Sequence, residues 1–197
     1  RFDGDEKVTD LLYALYRAYH GEGDIASVFY KITTRFDEII SDLGLNLSLE
    51  CEYLKIQKDL DNGAGSDYAA SRGEYLNGII LSAYLGFTFI DAASCIFFRA
   101  DGQLDAEKTN NYLKGLLKAY PRAVIPGFYG VMPDGNVTTF SRGGSDITGS
   151  IVARASAATL YENWTDVSGF LMADPRCVDH PRRIELITYK ELRELSY

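Results

Sequence analysis

The chain has 197 residues, 46% of them apolar, which is enough for one sizeable hydrophobic core. Its net charge of −8 argues against a nucleic-acid backbone as partner, because that needs clustered Lys and Arg. Long apolar stretches such as Tyr75 to Ile90 are broken by Asn77, Gly78, Ser82 and Gly86, and the charged start precedes no secretory core, so neither a membrane span nor a signal is read. A cytoplasmic protein is expected. The three cysteines, Cys51, Cys95 and Cys177, and the two histidines, His20 and His180, lie too far apart for a disulfide framework or a zinc site.

Residues 1–70 carry fourteen Asp and Glu against seven Lys and Arg, so most of the net acidity sits in this first third. It reads as helical. Val8, Leu11, Leu12, Leu15, Ala18 and Tyr19 keep helical spacing up to Gly21, and Asp24 can cap a second helix with a stripe from Ile25 to Leu43. A third helix is expected over Ser48 to Leu60, and Asn62-Gly63-Ala64-Gly65-Ser66-Asp67 has the composition of a loop.

The texture then changes to helices alternating with short apolar strands. Helices are expected over Glu74 to Leu85, Asp105 to Tyr120, about Ser145 to Ala158, and from near Tyr189. Strands are expected at Phe87 to Ile90, Ile96 to Arg99, Ala123 to Ile125, Val137 to Phe140 and Leu160 to Trp164. This alternation implies an α/β fold whose sheet is covered on both faces.

Three stretches carry chemistry. Thr138 to Asp146 runs from a strand through Gly143 and Gly144 into a helix, a geometry in which backbone N–H groups meet an anion at the positive end of the helix dipole; the same residues also suit a plain capped turn. Thr165-Asp166-Val167-Ser168-Gly169 and Asp174-Pro175-Arg176 follow the next strand, where α/β sites usually lie, although Asp174 before Pro175 also suits an ordinary turn. In Ser71-Arg72-Gly73-Glu74 the carboxylate of Glu74 either binds an ammonium group or complements a helix dipole from the first turn.

Taken in order, Lys7 to Leu12, Ser71 to Glu74, Pro126-Gly127-Phe128-Tyr129-Gly130, Thr138 to Asp146, Thr165 to Gly169 and Asp174 to Arg176 resemble the motif series of the aspartate kinases within the amino-acid kinase family. The resemblance is dense from Ser71 onward, including Ile184 to Leu195, and thin from Ile25 to Asp67. It implies a three-layer α/β/α sandwich with a mostly parallel sheet and a helical N-terminal third. One catalytic domain would span 1–197, with residues 25–67 as an insertion-like helical region within it.

The resemblance further implies that Glu74 holds the α-amino group of L-aspartate and Arg142 its α-carboxylate, with Thr9 and Ser145 beside the substrate. Gly143 and Gly144 would line the phosphates of ATP and Asp146 would order the transfer site, while Thr165, Asp166, Asp174 and Arg176 would border the nucleotide. ATP and Mg²⁺ are the expected cofactors. Leu171 stands where an aromatic residue is common. The family's Lys-Phe-Gly-Gly strand and its ACT-type regulatory domains, through which the parent enzyme is expected to form homo-oligomers, are not in this sequence. The domain is therefore expected to be incomplete at both ends, and inactive by itself. The alternatives are a kinase of glutamate or N-acetylglutamate, or a module that binds nucleotide or partners without transfer.

Overall fold

Helix α1, Val8–Tyr19, buries Leu11, Leu12, Leu15 and Ala18 on one face, as its periodicity demands. In the computed structural model, which describes residues 6–141, 143–164, 169, 171–174 and 176–188, this face packs against α2, Ile25–Asp42, and α4, Ser66–Leu85. Asp24 caps α2 by accepting a hydrogen bond from the Ala26 N–H at 3.0 Å, as expected. Helix α3, Glu50–Asp61, completes the helical N-terminal part.

Helix α4 is the central element. It touches α1, α2 and α3 and also the strands β1, Thr88–Phe89, β2, Ala123–Val124, and β4, Val137–Thr139. Its buried residues, among them Ala69, Arg72, Tyr75, Leu76 and Ile80, do not form one narrow stripe, which is what a helix enclosed by neighbours needs. At Gly73 an added Cβ would stand 3.2 Å from Leu12 Cδ1, so the missing side chain lets α1 cross closely. The sequence reading put the helix start at Glu74 and a loop through Asp67. The chain instead enters the helix at Ser66, because burial of Ala69 and Ala70 outweighs the weak helix propensity of the Ser- and Gly-containing stretch.

Strands β1 and β2 pair in parallel, Thr88 opposite Ala123 and Phe89 opposite Val124, giving the expected α/β character. Strand β3, Tyr129–Val131, pairs antiparallel with β4. Helix α5, Ala106–Ala119, is capped by Asp105, and α6, Gly144–Ala155, follows β4 and packs on α5. Two expected strands do not form. Phe97 and Phe98 make only isolated bridges, to Val131 and Leu104, and the Phe97 N–H donates to Thr109 Oγ1 on α5 at 2.9 Å. Leu160 to Trp164 has no strand partner among the described residues, and Leu160 and Trp164 are 72% and 88% exposed. The expected helix near Tyr189 lies outside the described residues.

The chain forms two units, Arg1–Tyr161 and Glu162–Tyr197. The core, from Leu11 through Ala155, belongs to the first. Arg72, 2% exposed, lies inside it. Its guanidinium stacks 4.4 Å from the ring centroids of Tyr68 and Tyr75 and 5.4 Å from that of Tyr129. Each tyrosine hydroxyl donates to a carboxylate: Tyr68 to Asp59 at 2.5 Å, Tyr75 to Glu52 at 2.8 Å and Tyr129 to Asp91 at 2.8 Å. A desolvated cation–π contact is worth about 2 kcal/mol, so three of them offset much of the cost of burying the charge.

Candidate functional site

A cleft of about 380 Å³ opens between α1, α2, α4 and the start of α6. Thr9, Glu74 and Ser145, residues far apart in sequence and singled out there, all line it. Thr9 comes from the first turn of α1, Glu74 from the middle of α4, and Ser145 from the first turn of α6. Arg35 and Asn77 line the same space, with Phe36, Ile39 and Phe128 as apolar walls. Arg35, Phe36 and Ile39 stand on α2, so the region read as insertion-like supplies one wall of the cleft.

Glu74 lies more than two turns inside α4. The dipole explanation fails on that geometry, since the effect fades within the first turn. Its side chain is open to water on one side, yet the surrounding protein desolvates the carboxyl enough to raise its pKa. A carboxylate held in this way gains from a cation brought by a ligand.

The turn into α6 is built by interlocking. Gly143 has φ 57°, a left-handed conformation that favours glycine, and the space beside it is open. Gly144 is required for a different reason: a Cβ there would lie 2.8 Å from Phe128 Cα and 3.0 Å from Phe140 Cβ. Gly143, at the N-cap of α6, supplies no capping side chain, so the helix's first-turn N–H groups lack the partner an Asn, Asp, Ser or Thr would give there. Asp146 is exposed in this first turn.

Phe128 has φ 81°, an unusual strain for an aromatic residue. Its N–H donates to Thr148 Oγ1 at 3.2 Å and its carbonyl accepts the Phe140 N–H at 2.9 Å, so the strained peptide is held from both sides. Asp67, assigned from sequence to a loop, fixes the strand that feeds the turn. Its Oδ2 accepts the Thr138 hydroxyl at 3.1 Å and the Thr139 N–H at 2.9 Å.

Of the other expected site residues, Arg142, Thr165 and Asp166 lie outside the described residues. Asp174 and Arg176 belong to the second unit and pair with each other, Arg176 Nη2 standing 2.6 Å from Asp174 Oδ2. Asp174 also accepts the Arg176 N–H at 2.8 Å, the contact of a self-capped turn, and the hydrogen bonds from Arg176 lower its pKa. Leu171 forms a bridge with Arg183 in the same unit. A larger cleft of about 670 Å³, between the loop at 62–65 and the hairpin turn at 135–136, is lined, among the described residues, by none of those expected for substrate or nucleotide.

No helix among the described residues is long and apolar enough to cross a membrane. The amino acid kinase family matches residues 6–197, and the chain belongs to it. It is 33% identical to aspartokinase 3 of Bacillus subtilis over 98% of this chain and 46% of that protein. It is 35% identical to an aspartokinase of Rickettsia prowazekii over 66% of this chain and 31% of that one. Among solved structures, the aspartate kinase of Clostridium acetobutylicum superposes with a TM-score of 0.91 at 52% identity, over 100% of this chain and 45% of that one. Aspartokinase III of E. coli, in complex with aspartate and ADP, shares the fold at a TM-score of 0.63 and 22% identity, over 91% of this chain and 45% of its own. The chain thus spans about half the length of these relatives.

Proposed function

We propose that this chain is the amino-acid-binding and phosphate-binding part of an ATP-dependent aspartate kinase, which makes 4-phospho-L-aspartate for amino-acid biosynthesis, lysine included, in the cytoplasm. The observation that carries the reading is the single cleft that gathers Thr9, Glu74 and Ser145 beside the uncapped start of α6. An amino acid with an ammonium group and two carboxylates matches one acid, Glu74, one guanidinium, Arg35, and the neutral donors Thr9, Asn77 and Ser145. Arg142, directly before the turn, adds the fork that suits a carboxylate.

The reaction needs little proton transfer, because the attacking β-carboxylate is already ionised at neutral pH. A carboxylate oxygen forms a bond to the γ-phosphorus while the bond from that phosphorus to the bridging oxygen breaks and ADP leaves. Glu74 orients the substrate by its ammonium group, and the N–H groups of Gly144 and Ser145 stabilise charge on the phosphoryl oxygens. Thr165, Asp166, Asp174 and Arg176 are proposed to border the nucleotide.

Among the described residues no three ligand-type side chains cluster as a metal cage. Mg²⁺ carried on phosphates keeps most of its water and needs as little as one carboxylate, the part proposed for Asp146 in the first turn of α6. When bound, the ion offsets phosphate charge.

N-acetylglutamate, the substrate of the nearest rival reading, has no ammonium group for Glu74 to bind. Isothermal titration of the full-length protein with L-aspartate, L-glutamate and N-acetyl-L-glutamate separates the readings. Aspartate is expected to bind most tightly, and tighter binding of N-acetylglutamate would replace this assignment.

A further inference from the structure

Arg72 presents an unusual arrangement for a cation with almost no exposure. Its Nε and Nη2 donate to Ser71 Oγ at 3.1 and 2.9 Å, and Nε also to the Tyr68 carbonyl at 3.3 Å. Its other neighbours are the faces of Tyr68, Tyr75 and Tyr129, while Asp59, Glu52 and Asp91 each stand one tyrosine away. A hydroxyl that donates to a carboxylate leaves its ring richer in electrons, so each acid strengthens the cation's hold without touching it.

Two of those rings belong to α4, but Tyr129 does not. It directly follows Phe128, whose strained peptide forms a wall of the cleft that Glu74 faces from α4. Arg72 therefore joins the helix that carries Glu74 to the segment that carries Phe128. Thr148 and Phe140 hold the strained peptide from the α6 and β4 side, and the tyrosine that follows it is pinned from the α4 side by Arg72 and from below by Asp91.

We propose that Arg72 is a positioning residue for amino-acid recognition: by clamping Tyr129 against α4 it sets the separation between Glu74 and the Phe128 wall, and so the fit of the amino acid in the cleft. This rests on the reading of the cleft as the aspartate site. The side chain touches no substrate and acts through Tyr129 and α4. Its effect should fall more on the amino acid than on the nucleotide, because Phe128 is a wall of the cleft, whereas the strand that feeds the turn of α6 is fixed separately, by Asp67 on Thr138 and Thr139.

The test is steady-state kinetics of the full-length protein carrying Arg72→Met, Arg72→Lys or Tyr129→Phe, with melting temperatures for each. Misplacing an orienting group by about 1 Å costs up to roughly a hundredfold, so Arg72→Met is expected to raise the KM for aspartate about tenfold or more while that for ATP changes less than about twofold. Arg72→Lys should recover part of the loss, since it keeps the charge on the rings but not the fork. A lowered melting temperature with an unchanged KM for aspartate would overturn the proposal and leave Arg72 a purely structural residue. If Arg72→Met does not fold, Arg72→Lys decides, because it keeps the charge but loses the planar stack, and a KM for aspartate equal to wild type overturns the proposal equally; Tyr129→Phe, which keeps the ring under Arg72, should stay closer to wild type than Arg72→Met. The wild-type protein is the control for the underlying reading. Absent turnover of aspartate there removes that reading and this inference with it, whereas wild-type turnover with insensitive variants removes only the inference.

Discussion

Replacing Glu74 with Gln is expected to weaken use of aspartate about 10–100-fold, the cost of losing a charged hydrogen-bonded partner of roughly 1.5–3 kcal/mol. The amide keeps the shape and the helix propensity of the position but cannot balance an ammonium group. The pH dependence follows from the environment. Burial raises the Glu74 pKa, and only the ionised form binds the ammonium, so affinity for aspartate should fall as pH drops through a window above the ordinary glutamate range. In Glu74→Gln that acid limb should vanish. Stability should move the other way. A folded-state pKa above the unfolded one means that the folded protein binds more protons in that window, so stability declines as pH rises through it, and the amide removes this penalty. Denaturant unfolding at neutral pH should therefore show Glu74→Gln at or slightly above wild type. A large loss of stability with unchanged aspartate kinetics would contradict the assignment.

Gly144→Ala is expected to cost about 1–3 kcal/mol of stability and to impair both substrates, because the new methyl meets atoms that cannot yield. Two of the three nearest, Phe128 Cα at 2.8 Å and Phe128 O at 3.1 Å, are backbone, and the third, Phe140 Cβ at 3.0 Å, is fixed to its own backbone. The strain must be relieved by moving Phe128 or the first turn of α6, which are the wall of the cleft and the proposed phosphate seat. Gly143→Ala is the contrast. It meets nothing closer than Asp146 Oδ2 at 3.9 Å, so its cost is limited to the left-handed φ, about 1 kcal/mol. Equal losses in urea unfolding for the two variants would mean that the interlock with Phe128 carries no energy.

Much of this arrangement is legible in the residues themselves. The caps Asp24 and Asp105 and the stripes of α1, α2 and α5 mark helices, since local chemistry decides them. The ordered motifs identify Thr9, Glu74 and Ser145, and the fold brings those three to one cleft. Other features depend on tertiary contacts that no local pattern encodes. Ser66 to Gly73 has loop-like composition and becomes helix because its alanines and Arg72 are enclosed. Phe97 looks like strand, but a threonine twelve residues later takes its N–H. Arg35, Asn77 and Phe128 reach the cleft only through the crossing of α2, α4 and the segment before β3. For Arg35 the sequence offered a single faint signal, a cation inside an otherwise amphipathic helical stripe.

The central claim is that the cleft at Glu74 serves phosphorylation of a free amino acid dicarboxylate. Its most direct test is trapping of acyl phosphate by hydroxylamine, with the full-length protein supplied with ATP, Mg²⁺ and either L-aspartate or N-acetyl-L-glutamate. Hydroxamate formed from aspartate, lost in Glu74→Gln and negligible with N-acetylglutamate, is the predicted result. No product from aspartate, or equal product from N-acetylglutamate, would contradict it.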